Sequence, residues 1–143
     1  MRIALGSDHR GYALKEFLKE ALRREGYDVV DVGTDSPERT DYPIYAKAVG
    51  RKVASGEVRF GVLICATGIG MSIAANKVRG VRAAHVCDDE LVKLSRRHND
   101  ANVLCFGSLY TDEETALRWV KLFLTTEFEG GRHSRRVAML EEG

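Results

Sequence analysis

The sequence is poor in proline and cysteine and has no long apolar run. Its 143 residues include 2 prolines and 3 cysteines, while 44% are hydrophobic. This composition excludes a disordered or collagen-like chain. The cysteines are widely spaced and form no Cys-x-x-Cys pair, so we expect neither a disulfide framework nor a zinc site. No apolar stretch approaches the ~20 residues that a membrane-spanning helix needs, so no membrane partner is expected.

An excess of charge of one sign is also missing. Lys and Arg number 22 and Asp and Glu number 21, which gives a net charge of +1. A chain so nearly balanced has no overall field to attract nucleic acid, and we expect no such partner. The N-terminal residues lack the ~7–15-residue apolar region of a signal peptide, so a cytoplasmic protein is the default expectation. At ~150 residues per domain, residues 1–143 should form a single domain.

Strand-like and helix-like segments alternate along the chain. The helical spacing of residues 14–22 lies between short apolar runs at 3–5 and 29–32. Phe60–Cys65 is apolar throughout, as is typical of a parallel strand covered on both faces. Further strands are predicted at 81–86 and 103–106, and further helices at 43–55, 72–78, 88–97, 117–124 and 134–140. This order predicts an α/β fold, a three-layer α/β/α sandwich with a Rossmann-like, mostly parallel, five-stranded sheet.

The loop after Cys65 is the strongest candidate for a site, since ligands of such sheets bind beyond the carboxyl ends of the strands. Its glycines, Gly68 and Gly70, allow backbone N–H groups to approach a ligand closely. The helix that follows adds unpaired N–H donors and a partial positive charge. The loop is therefore suited to hold an oxyanion and to favour Cys65 as a base or nucleophile. A buried structural cysteine beside an ordinary tight turn explains the pattern equally well.

Three known phosphate-binding loops do not fit this segment. A dinucleotide fingerprint would begin at Gly68 and Gly70, but position 73 is Ile, and no Walker sequence occurs. A cysteine phosphatase would place an arginine soon after its nucleophile, whereas this loop reaches Asn76 and Lys77 without one.

Two further segments carry side chains suited to acid–base chemistry. Asp8 and His9 follow the first strand, although Asp8 can also simply cap the next helix. His98 and Asn99 precede the fifth strand. Histidine acts as a general acid or base near neutral pH, but a lone histidine at a helix end is more often a surface or capping residue.

Two arginines near the C-terminus suit anion binding. Arg132 and Arg136 are four residues apart and would share one helix face, and arginine recognises phosphate in a bidentate manner. A solvated basic face is the commoner outcome for such a pair. His85 and His133 lie in no recognisable motif, and we expect His85 to be structural.

Together these segments resemble the B-type ribose-5-phosphate isomerase family, which also contains galactose-6-phosphate and allose-6-phosphate isomerases. The matching strings keep the family's order and span nearly the whole chain: GSDH at 6–9, ERTDYP at 38–43, LICATGIGMSIAANK at 63–77, HNDANVL at 98–104 and EGGRH at 129–133. The resemblance implies an aldose–ketose isomerase without metal or cofactor. It would interconvert D-ribose 5-phosphate and D-ribulose 5-phosphate through a cis-enediolate, in the non-oxidative pentose phosphate pathway.

The resemblance also implies a role for each candidate residue. Cys65 matches the base that moves a proton between C1 and C2, Thr67 matches the hydroxyl that assists it, and His98 matches the residue that opens the furanose ring. The anion hole for the enediolate would consist of backbone N–H groups of Ala66, Thr67, Gly68, Ile69 and Gly70. The implied substrate-binding side chains are Asp8 and Asn99 at the sugar oxygens and His9, Arg132 and Arg136 at the phosphate.

A shared site is implied as well. The resemblance implies a homodimer or tetramer in which His98 and Asn99 come from the neighbouring chain. The two arginines would lie on a C-terminal helix at about 132–141.

Two positions depart from the family pattern. The residue after Cys65 is usually Gly but here is Ala66. Its methyl group either crowds the loop or the sugar or, if φ is negative, is harmless. Position 109 is Leu where the family often has an arginine, which leaves open a six-carbon substrate, allose 6-phosphate or galactose 6-phosphate. A silent sugar-phosphate-binding module and a nucleotide-binding stress-type domain are the remaining alternatives.

Overall fold

The sheet and its helices follow the predicted alternation. The structure, a computed structural model, describes residues 1–142. The strands are β1 (Arg2–Ser7), β2 (Asp28–Gly33), β3 (Phe60–Cys65), β4 (Ala83–His85) and β5 (Val103–Gly107). The helices are α1 (Tyr12–Arg24), α2 (Tyr42–Ala54), α3 (Ile69–Ala75), α4 (Asp89–Arg97), α5 (Glu113–Thr125) and α6 (Arg132–Leu140). The strand order is β2-β1-β3-β5-β4, and every pairing is parallel.

Both faces of the sheet are covered by helices, which confirms the predicted three layers. Alternate residues of β1 enter two separate cores, Ile3 and Leu5 in one and Ala4 in the other. The first core includes residues of α1, α4 and α5, and the second includes residues of α2 and α3. All six residues of β3 are buried, which explains its unbroken apolar sequence. Within residues 1–142, no helix is both long enough and apolar enough to span a membrane.

Several predicted bounds were wrong, and for α3 and β4 the structure shows the reason. The helix expected at 72–78 is α3, Ile69–Ala75, because Gly68 adopts φ +86 as its N-cap and accepts a hydrogen bond from the Ser72 N–H. Asn76 then leaves the helix, and its side-chain amide bonds both the N–H and the C=O of Ala83. The strand expected at 81–86 is only Ala83–His85, a short strand at the edge of the sheet.

Parallel strands give the sheet two chemically different edges. At the carboxyl edge, Ser7 is paired with Ile64 and Cys65 with Gly107, so β1, β3 and β5 end side by side. At the amino edge, the turn after α4 leads into Val103, and the segment after α5 joins it through a hydrogen bond from Glu129 N–H to Arg97 C=O of 3.0 Å. Helix α6 therefore begins at the amino edge.

Candidate active site

Cys65 ends β3 with its thiol held by the following turn. Its side chain is buried, and the Gly68 N–H lies 3.1 Å from Sγ, in position to donate a hydrogen bond. This contact holds the thiol against the turn that follows β3. The chain can make this turn only with glycine at 68, because φ is +86 and an added Cβ would lie 2.7 Å from the carbonyl carbon of Phe106.

Backbone hydrogen bonds from the segment after β5 hold the loop after Cys65 in place. The N–H groups of Ser108 and Leu109 donate to the C=O groups of Cys65 and Ala66, at 2.9 and 3.1 Å. The Thr67 hydroxyl accepts from the Ile69 N–H at 3.2 Å. Ala66 does not have positive φ, so its methyl group imposes no backbone strain.

His85 contributes to the same loop. Its Nε2 lies 2.9 Å from the Thr67 C=O, and because a carbonyl only accepts, that nitrogen carries the proton. The ring therefore ties β4 to the turn after β3. This contact gives His85 a definite place in the architecture of the loop.

The two other cysteines differ from Cys65 in their surroundings. Burial, with a smaller contribution from Cys65, raises the pKa of the Cys105 thiol far above its ordinary value. Cys105 is therefore a neutral core residue. Cys87 is exposed and lies after β4.

Asp8 and His9 lie beside this loop. Asp8 is 6% exposed, its N–H reaches the Ile64 C=O at 3.4 Å, and its Oδ1 accepts from the N–H groups of Arg10 and Gly11 at 3.0 and 3.2 Å. It closes the turn before α1, whose N-cap is Gly11, so Asp8 is not the N-cap of α1 itself. Both bonds use one carboxylate oxygen.

His9 has a defined tautomer. Its Nδ1 accepts the Thr40 N–H at 3.2 Å, which leaves a neutral ring with its proton on Nε2. That N–H is a donor suited to an anionic oxygen.

His98 and Asn99 lie at the opposite edge of the sheet. His98 is the C-cap of α4, and its Nε2 lies 3.9 Å from Glu129 Oε1. Asp100, with φ +47, accepts from Arg96 Nη1 at 2.7 Å, which fixes the turn that carries the two residues. Arg132 and Arg136 are exposed on α6, which begins nearby.

The structure therefore assembles the predicted site residues into two groups rather than one. Asp8, His9 and the loop after Cys65 form one group at the carboxyl edge. His98, Asn99 and the α6 arginines form the other at the amino edge. The length of β5, roughly 13 Å for Val103 to Gly107, separates the two edges.

Sequence reasoning missed two residues of the second group. The His133 ring is stacked on that of His98 with centroids 4.3 Å apart, and Glu129 lies beside both. The sequence signal for these two residues was the four-residue spacing of Glu129 and His133 across the Gly130–Gly131 turn. The potential ligand atoms of the three residues all lie within 4.8 Å of one another. The two rings lie nearly parallel, however, so their in-plane lone pairs do not converge on a shared ion.

Comparisons with known proteins agree on one family. The family model described as Ribose/Galactose Isomerase matches residues 3–140. Ribose-5-phosphate isomerase B of Escherichia coli (strain K12) is 50% identical over 136 residues, which cover 95% of this chain and 91% of that protein.

Solved structures give the same picture. Ribose-5-phosphate isomerase B of Clostridium thermocellum superposes with a TM-score of 0.97 at 45% identity, covering 99% of this chain and 95% of that one. The Mycoplasma genitalium ribose-5-phosphate isomerase B, solved with bound ribulose-5-phosphate, has a TM-score of 0.94 at 40% identity, covering 98% and 93%.

Proposed function

The chain belongs to the ribose/galactose isomerase family, and we infer that it is an aldose–ketose isomerase interconverting D-ribose 5-phosphate and D-ribulose 5-phosphate. The observation that carries this function is the thiol of Cys65 at the carboxyl edge of the sheet, under the Gly68 N–H. A base next to oriented backbone donors meets the two needs of proton transfer at a carbon beside a carbonyl group.

Cys65 is the proposed base for both halves of the reaction. With the sugar open, the thiolate takes the C2 proton, the electron pair of that C–H bond forms the C1–C2 double bond, and the π pair of the C1=O1 bond moves to O1. The product is a cis-enediolate. The same thiol then returns a proton to C1 while the carbonyl forms at C2. Asp8, whose Oδ2 makes neither of its turn's hydrogen bonds, is proposed to move the proton between O1 and O2.

The loop backbone is proposed to hold the charge that develops on oxygen. N–H groups of Ala66, Thr67, Gly68, Ile69 and Gly70 line the turn and the start of α3, where a helix terminus favours an anion. The Thr67 hydroxyl is proposed to assist Cys65. His9 Nε2–H is proposed to donate to the phosphate.

The remaining groups are proposed to come from a second copy of the chain. His98 as the ring-opening residue, Asn99 as a sugar ligand, and Arg132 and Arg136 as phosphate ligands lie at the edge opposite Cys65. A site that uses both groups is incomplete in one chain, which supports a homodimer or tetramer with shared sites. No metal or cofactor enters any of these steps.

We also propose a single domain over residues 1–143, acting in the cytoplasm in the non-oxidative pentose phosphate pathway. Three free cysteines suit a reducing compartment.

Turnover of ribose 5-phosphate by the purified protein, with EDTA present and allose 6-phosphate assayed in parallel, tests the function. We expect rapid conversion of the pentose. Allose 6-phosphate is assayed because Leu109, which is 55% exposed next to the loop, is uncharged where the family often has an arginine. This difference leaves a six-carbon substrate open. Activity on the hexose alone would replace the substrate but keep the chemistry. Tight binding without turnover of either sugar would indicate a silent binding module.

A further inference from the structure

The imidazole of His98 rests on a second imidazole. The rings of His98 and His133 are 4.3 Å apart between centroids and inclined by only 14°. The His133 side chain is 9% exposed, whereas that of His98 is 38% exposed. One ring is therefore fixed by burial, and the other lies on it with its remaining surface open to a ligand.

The backbone holds this stack in place at two points. The Glu129 N–H donates to the Arg97 C=O at 3.0 Å, which joins the segment before α6 to the last residue of α4. Gly130 and Gly131, both at positive φ, then reverse the chain, and the His133 N–H donates to the Gly130 C=O at 3.0 Å. The ring of His133 therefore lies against His98, the residue that follows α4.

The charges around the stack favour a neutral His133 and place a carboxylate beside His98. Burial lowers the pKa of His133, and the nearby His98, Arg132 and Arg136 lower it further, while Glu129 opposes them. His133 is therefore neutral near pH 7. Glu129 Oε1 lies 3.6 Å from His133 Nε2 and 3.9 Å from His98 Nε2, within ion-pair distance of His98 when that ring is protonated.

Resting on the proposed role of His98, we propose that His133 and Glu129 are positioning residues for ring opening. The stacked ring of His133 fixes the plane of His98, and the carboxylate of Glu129 stabilises its protonated state. In the step they serve, the C1–O4 bond breaks, its electron pair goes to O4, and O4 takes a proton from His98. The O1 hydroxyl loses its proton to solvent as the C1=O1 bond forms, and solvent reprotonates His98.

Two substrates separate ring opening from proton transfer. Ribose 5-phosphate is mostly cyclic and must be opened. Ribulose 5-phosphate stays open, because its C5 oxygen carries the phosphate and cannot close a five-membered ring. Exchange of its C1 hydrogen in D₂O, followed by NMR, reports on Cys65 without ring opening.

We expect His133→Ala to lower turnover of ribose 5-phosphate by about 10- to 100-fold, which is the effect of misplacing a catalytic group. The rate of hydrogen exchange in ribulose 5-phosphate should stay within about twofold of the wild-type rate. His133→Phe keeps an aromatic face and should recover most of the loss. Glu129→Gln should show the same split as His133→Ala. The matched control is Glu127→Gln, an exposed residue two positions away, which should change neither rate.

Equal losses in both assays, or no loss in either, for Glu129→Gln and His133→Ala would overturn the positioning role. Glu129 is half-exposed, so its variant remains informative if His133→Ala does not fold. His98→Asn should show a larger difference between the two assays than the His133 and Glu129 variants. If it shows no difference, His98 does not open the ring, and the positioning role is disproved as well. A wild-type protein that is inactive in both assays would instead contradict the proposed isomerase activity.

Discussion

At the residue scale, the three cysteines have three different environments, and only one suits catalysis. Cys65 is at a strand end under a backbone donor. The raised pKa of buried Cys105 leaves it neutral, and exposed Cys87 lies in the segment after β4. Cys65 is a candidate base because it ends its strand, whereas Cys105 lies in the middle of β5 and packs in the core.

Replacing Cys65 should abolish most of the activity. We expect Cys65→Ala to lower kcat for ribose 5-phosphate by about 10²- to 10⁴-fold, the scale of general-base catalysis, because it removes the group that accepts the carbon-bound proton. Cys87→Ala is the matched control and should keep wild-type kcat. Full turnover by Cys65→Ala, or iodoacetamide labelling of Cys65 without loss of activity, would show that the base is another residue.

Gly68 sets both the conformation and the packing of the loop. Gly68→Ala should destabilise the fold and lower kcat, because an added Cβ would lie 2.7 Å from the Phe106 backbone. Gly56 is a matched control, since it has φ +82 with nothing within 4 Å of an added Cβ. The left-handed backbone should cost either variant about 1–2 kcal/mol. Overpacking should add about 1–3 kcal/mol at position 68 alone, and equal losses in urea unfolding would refute this account.

At the element scale, α1 is joined to β2 by a buried ammonium group. Lys15 is fully buried, and its Nζ lies 2.7 Å from Asp31 Oδ1, with Glu16 and Lys19 completing the cluster. Burial acts to raise the pKa of Asp31, but hydrogen bonds from Lys15 and Lys19 outweigh it, so the pKa is lowered overall. The ion pair therefore adds stability above the unfolded pKa of about 4, and this contribution is lost as pH falls through the folded value.

Removing the Asp31 carboxylate should leave the buried ammonium of Lys15 with the partly exposed Glu16 as its one remaining ion-pair partner within residues 1–142. We expect Asp31→Asn to lower the free energy of unfolding at pH 7 by about 3 kcal/mol, and by progressively less below about pH 4. Asp28→Asn, which breaks an exposed pair with Arg2, should cost less than about 1 kcal/mol. Denaturant unfolding at several pH values measures both. A pH-independent loss for Asp31→Asn would mean that packing, not charge, is responsible.

The elements also show what the sequence alone could predict. The apolar spacing of α1 and the unbroken apolar run of β3 were sufficient, because each reports directly on burial. The start of α3 was not predictable, because it depends on Gly68 adopting positive φ against Phe106, a contact distant in sequence. The length of β4 was missed for a similar reason, since it is fixed by its pairing with β5 alone.

The candidate site divides in the same way. Its carboxyl-edge members follow from strand ends in the sequence. The stack of His133 on His98 joins α6 to α4, and no local pattern in the sequence encodes that contact.

At the scale of the whole molecule, the direction of the strands decides how many chains make a site. All five strands are parallel, so Cys65 at the end of β3 and His98 before the start of β5 lie at opposite edges. No rotation of side chains crosses the roughly 13 Å of sheet between them. Joint action on one sugar requires that the carboxyl edge of one chain meet the amino edge of another.

Heterodimers with defined mutations test this requirement. In a doubly tagged heterodimer of Cys65→Ala and His98→Asn chains, one site loses both groups and the other keeps both. It should turn over ribose 5-phosphate at about half the wild-type rate per dimer, although each homodimer is nearly inactive. The matched control carries both substitutions in one chain and pairs it with a wild-type partner, so that each shared site loses one group. It should be nearly inactive if sites are shared and half-active if each chain holds its own, and the second result would disprove the shared site.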